Sequence, residues 1–171
     1  ISEAMALGNR KMVASRAETG IRMSIIFALP AAVGMYALAE PITVLLYKNA
    51  EAGISLKFLA WGVVFLAITQ TSTGILQGIG KTMIPVQNML IGAVIKVIIN
   101  YALTGIPNIN IKGAAIGTVI GYLIPAFLNF VAVMRWTAQT TDLNQMVIKP
   151  VLASIFMGAG VELAYGSLVV Y

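Results

Sequence analysis

Apolar residues run along this chain in long blocks divided by short polar islands. After a mixed opening segment the blocks fall at 21–47, 54–79, 83–104, 112–136 and from Lys149-Pro150 to 171. At about 1.5 Å of rise per residue, each is long enough as a helix to cross roughly 30 Å of hydrocarbon. The first twenty residues set Met5, Met12 and Ala17 among Arg10, Lys11, Arg16 and Glu18. That mixture predicts an amphipathic helix lying at a membrane surface or leading into the first span. Three connectors are short and carry breakers or charge: Lys48-Asn-Ala-Glu51, Gly78-Ile-Gly-Lys81 and Gly105-Ile-Pro-Asn-Ile-Asn110. A longer polar stretch, 137–147, holds Asp142 and Gln145. Short connections make sequential helices antiparallel neighbours. The pattern predicts an all-α, polytopic transmembrane helix bundle of about five spans. Its parts are a surface segment (1–20), a four-helix part (21–136), a linker (137–147) and a further helix (148–171).

Composition narrows the solvent. Of the 171 residues, 59% are hydrophobic and 10% are charged, against about 25% charged in a soluble domain. So little charge cannot coat a water-facing surface, and lipid must cover most of the molecule. Cysteine and histidine are both absent, which excludes disulfides, thiol or imidazole metal sites and Ser-His catalysis in this stretch. Gly78-Ile-Gly-Lys81 is too short to stand in for a phosphate-binding loop. No enzyme, metal, cofactor or nucleic-acid partner is expected. The net charge of +5 acts instead as a topology signal. One side of the bundle collects Arg10, Lys11, Arg16, Arg22, Lys81, Arg135 and Lys149, and the other Lys48, Lys57 and Lys112. The positive-inside bias puts the richer side, and the N-terminal end, in the cytoplasm. The opening at Ile1 and the apolar finish at 166–171 read as cuts in a longer polypeptide.

Lys96 is the sharpest chemical feature. It lies more than a helical turn inside the third block, where a cation costs roughly 3 kcal/mol or more on insertion scales. Asn100, Gly92 and Asn88 share its side of the helix at steps of four residues, forming a polar stripe. One reading makes Lys96 a contact for an anionic substrate group in a central cavity. The other makes it a structural lysine that snorkels or pairs with a carboxylate. Gln70, Thr73 and Gln77 form a second stripe, which suits either a wet cavity or hydrogen bonds between helices. Glu162, well inside the fifth block, reads as a proton-coupling group, a partner for a cation or a groove-facing carboxyl. Arg22, at the entrance to the first block, suits either a phosphate contact or a head-group anchor. Gly113, Gly117 and Gly121 make overlapping GxxxG steps that favour close helix packing. Pro30 and Pro125 each remove a helical hydrogen bond, giving a static bend or a hinge.

Several motifs in order carry a resemblance. They are Ile1-Ser-Glu-Ala4, Leu29-Pro-Ala-Ala-Val-Gly34, Leu38-Ala-Glu-Pro-Ile42 with Leu45-Leu-Tyr47, Gly74-Ile-Leu-Gln-Gly-Ile-Gly-Lys81, Lys96-Val-Ile-Ile-Asn-Tyr101 and Ile111-Lys-Gly-Ala-Ala-Ile-Gly-Thr118. Their order and spacing resemble the multidrug/oligosaccharidyl-lipid/polysaccharide (MOP) flippase superfamily. Within it they resemble the polysaccharide-biosynthesis branch of stage V sporulation protein B, related to the lipid II flippases. The resemblance implies that the spans are helices nine to thirteen of a fourteen-helix, two-lobe transporter. Four of them would belong to the second lobe and one to an extra pair. It implies export of a lipid-linked oligosaccharide, peptidoglycan or polysaccharide precursor across the cell membrane by alternating access. The partners implied are that anionic lipid-linked substrate, membrane lipid and the remainder of the same chain, in a monomer. A cation-coupled multidrug antiporter shares the fold and remains an alternative. A non-transporting scaffold packed through its glycine strips is another.

Overall fold

The computed structural model describes residues 1–106, 110–137 and 149–169. Within them the secondary structure is helical, without a strand: α1 (Ser2–Ala6), α2 (Arg10–Ala37), α3 (Ala39–Tyr47), α4 (Glu51–Gly78), α5 (Met83–Thr104), α6 (Asn110–Thr137) and α7 (Lys149–Val169). Four stretches are long and apolar enough to cross a membrane, namely Arg10–Ala37, Glu51–Gly78, Met83–Thr104 and Lys112–Thr137. In α7 the apolar part is the shorter Pro150–Tyr165. The linker expected at 137–147 lies outside the described residues except for Thr137, which ends α6.

One boundary follows the second of the two expected arrangements and one departs from expectation, each for a physical reason. Residues 10–20 lead into the first apolar block as one helix. Gly8, at φ +65°, turns the chain after α1, and the Asn9 side chain caps α2 by accepting from the Met12 amide at 3.1 Å. Capping by an asparagine satisfies a donor that the first turn leaves free, so α2 starts at Arg10 and runs on into the apolar block. The block expected at 21–47 then breaks at Leu38. Pro41 has no amide hydrogen to offer the Ala37 carbonyl four residues back, and its ring crowds that carbonyl. One turn later the same proline is tolerated, because it sits in the first turn of α3. Lys48, left-handed at φ +53°, closes α3, and the Asn49 side chain receives the Glu51 amide at 2.9 Å as α4 begins.

Each long helix packs on its neighbours in a row: α7 on α2, α2 on α4, α4 on α6 and α6 on α5, while α3 folds back on α4. Val13, Ala17, Ile21, Ile25, Ala28 and Ala32 bury one face of α2 at steps of three and four. They meet Val64, Ile75 and Leu76 of α4 and Val133 of α6. Lipid gives apolar helices no hydrophobic reason to associate, so close fit must hold them. Small residues supply it. A Cβ on Gly53 would stand 3.0 Å from the Glu40 backbone, and one on Gly62 would touch Val119 and Tyr122 at 3.7 Å. Ser24 and Thr71 add a hydroxyl pair between α2 and α4.

Candidate functional site

The polar stripe of α5 does not face an open cavity along its whole length; it lies against α6. Working along α5, Asn88 donates to the buried Asn129 side chain at 2.7 Å, and Asn129 donates in turn to the Thr73 hydroxyl of α4 at 3.3 Å. At Gly92 a Cβ would come within 2.7 Å of both the Gly121 carbonyl and the Pro125 ring. Pro125 cannot donate to that carbonyl, its i−4 partner, so Gly92 sits where α6 has lost a rung of its ladder. Both Pro30 and Pro125 lie inside continuous helices.

Lys96 comes next. Its stem crosses the bare backbone of Gly121, where a Cβ would be 2.8 Å from the lysine Cβ and 3.2 Å from its Cγ and Cδ. The ammonium ends 5.7 Å from the centre of the Tyr122 ring, within the range of a cation–π contact. Such a contact offsets about 0.5–1 kcal/mol of the cost of a mid-span cation, and the residue is half-buried. One turn on, Asn100 presses its Oδ1 onto Gly117, leaving no space for a side chain there, and this buried oxygen has no hydrogen-bond partner. Leu103 closes the seam over Gly113, where a Cβ would stand 2.7 Å from the leucine Cβ.

Asn88, Lys96 and Asn100 are thus gathered with Gly113, Gly117, Gly121 and Pro125 into one α5–α6 seam. The remaining sequence candidates stand elsewhere. Gln70 and Gln77 are exposed on α4, on a face shared with Leu59, Leu66 and Gly74. Thr73, assigned to the same stripe, instead bonds Asn129. Arg22 is exposed on α2. The Glu162 side chain lies outside the described residues.

Sequence reasoning passed over Asn129, fully buried at the centre of the Asn88–Asn129–Thr73 chain. The signal was present: positions 113, 117, 121, 125 and 129 continue one four-residue step along α6. At the α3 end of the bundle, Glu40 and Lys57 approach to 4.0 Å beside a recess of about 480 Å³ that Pro41 and Tyr165 also line.

Spans of this length and hydropathy, zipped by small residues and side-chain amides, define a multi-pass helical membrane protein. The MatE family profile matches residues 1–102, and the chain belongs to that family, within the MOP superfamily. It is 25% identical over 170 residues to the lipid II flippase MurJ of Bacillus subtilis, a match that covers 95% of this chain and 31% of MurJ. It is 24% identical over 166 residues to the uncharacterized membrane protein YabM of the same organism, covering 96% of this chain and 30% of YabM. To the uncharacterized membrane protein MJ1068 of Methanocaldococcus jannaschii it is 34% identical over 148 residues, 85% of this chain and 27% of that protein. The chain therefore spans roughly a third or less of the length of these relatives. No solved structure matches it.

Proposed function

We propose that this chain forms part of a flippase that moves a lipid-linked oligosaccharide or cell-wall precursor across the cell membrane by alternating access. Lys96 is the observation that carries the reading. Between residues 58 and 111 the only charged side chains are Lys81 and Lys96, and Lys96 alone stands near the middle of a span. An intramembrane cation is retained at a cost, and the usual return is an anionic ligand or an ion path. The Tyr122 face holds the ammonium weakly enough to release it to a phosphate, since a charge-assisted bond to an anion is stronger than the cation–π contact. Gln70, Gln77 and Arg22, exposed on α4 and α2, add polar groups to the path in this proposal. The name of MurJ, a lipid II flippase, points to cargo of the same chemistry. A cation-coupled multidrug antiporter is the second reading, favoured by the carboxyl-bearing Glu162 placed by sequence within α7.

Substitution of Lys96 in the full-length protein tests the proposal. Lys96→Ala is expected to lower precursor translocation at least about tenfold, the loss of one charge-assisted contact, while Lys96→Arg keeps most of it. Wild-type translocation by Lys96→Ala, at equal expression, removes the residue from the mechanism.

A further inference from the structure

Three cations far apart in sequence converge at the end of the bundle opposite the Glu40–Lys57 pair. Arg10 is the first residue of α2, Lys81 follows α4 and Arg135 stands in the last turn of α6. All three line one recess of about 430 Å³, with Met5, Val13 and Trp136 among its other walls, and among the described residues no carboxylate lines it.

Local structure fixes the cations there. Gly80, at φ +80°, ends α4 with its amide on the Gln77 carbonyl at 3.0 Å, and the Lys81 amide returns to the Leu76 carbonyl at 2.8 Å. This paired closure of a helix end points Lys81 back across the bundle. Its ammonium stands 3.9 Å from the centre of the Trp136 ring. An ammonium has three donors, and one aromatic face does not satisfy them all.

Gathering like charges around one recess costs Coulomb energy that a bound anion recovers. The site also lies where the apolar helices end, the depth at which Trp and basic residues meet head groups. Its apolar floor suits the glycerol and first acyl carbons of a lipid better than a free, fully hydrated ion. We propose that this recess binds the phosphate head group of an anionic phospholipid in the leaflet on that side, a site separate from the cargo path around Lys96.

The test is native mass spectrometry of the full-length protein, titrated with phosphatidylglycerol and, separately, phosphatidylcholine. Phosphatidylglycerol is expected to bind at least about tenfold tighter, and Lys81→Gln/Arg135→Gln to lose about 25-fold in affinity for it, at about fivefold per basic residue. Lys81→Arg retains it. So does Lys11→Gln, which removes a cation from the same end of α2 but not from the recess. In the unsubstituted protein, raising the salt from 0.05 to 0.5 M weakens phosphatidylglycerol and not phosphatidylcholine, a check that needs no variant to fold. Equal affinity for the two lipids overturns the proposal, as does an equal loss from Lys11→Gln and from the pocket substitutions. Displacement of the lipid by millimolar inorganic phosphate would show a site for soluble anions and overturn it as well.

Discussion

At the scale of single residues, Asn129 shows how a buried amide organises a membrane interface. Its side chain is satisfied on both ends, by the Asn88 amide and the Thr73 hydroxyl, and so joins α4, α5 and α6 at one point. Hydrogen bonds between membrane helices contribute about 0.6 kcal/mol on average and at most about 1.7. A double-mutant cycle of Asn88→Ala and Asn129→Ala, read by unfolding of the full-length protein, is expected to return a coupling of about 0.6 kcal/mol. Additive losses would mean that the two side chains act separately. The polar members of this seam were legible in the sequence, because Lys96 and Asn100 stand out in an apolar block. Their orientation was not. A polar stripe looks the same whether it faces water or a strip of glycines, and only the partner helix decides. Asn129 escaped notice because it lies beyond the last glycine, although on the same face.

Helix ends tell a similar story at the scale of elements. The block at 83–104 coincides with α5 because both its ends carry clear signals, the Gly78-Ile-Gly-Lys81 turn and Gly105. The ends of the helices in the first block are harder to read, because hydropathy averages over side chains and does not see a cap. Asn9 launches α2 eleven residues before the apolar block begins, and Pro41 interrupts a block that stays apolar on both sides of it. Gly80 can be tested directly. Gly80→Ala must hold a side chain at φ +80°, at a cost of about 1–2 kcal/mol. The expected result is a lower melting temperature for the full-length protein, with a smaller loss for Gly80→Asn, since asparagine tolerates that region better. No difference between the two would show that the turn relaxes out of its left-handed conformation.

For the molecule as a whole, the row of helices leaves broad apolar flanks uncovered. Along α5, Met83, Val86, Leu90, Val94, Val97 and Tyr101 are all exposed, at steps of three and four that trace one greasy face. Composition foretold such flanks, and with them the membrane class. Which side faces the cytoplasm rests on the distribution of Lys and Arg. If the N-terminal end is cytoplasmic, a membrane-impermeant maleimide applied to intact cells will label the full-length protein carrying Lys48→Cys and not Lys11→Cys. The reverse pattern would invert the orientation and move the Arg10–Lys81–Arg135 recess to the outer leaflet.

The seam between α5 and α6 has one more consequence. Its partners recur every four residues on both helices, but sliding α5 by about 6 Å would carry Asn88 to the place of Gly92, where a Cβ comes within 2.7 Å of the Gly121 carbonyl and the Pro125 ring. Such a groove behaves as a keyed track, in which the one bare position of α5 admits the present register and blocks the next. The Asn88–Asn129 bond then latches the helix where the key already fits.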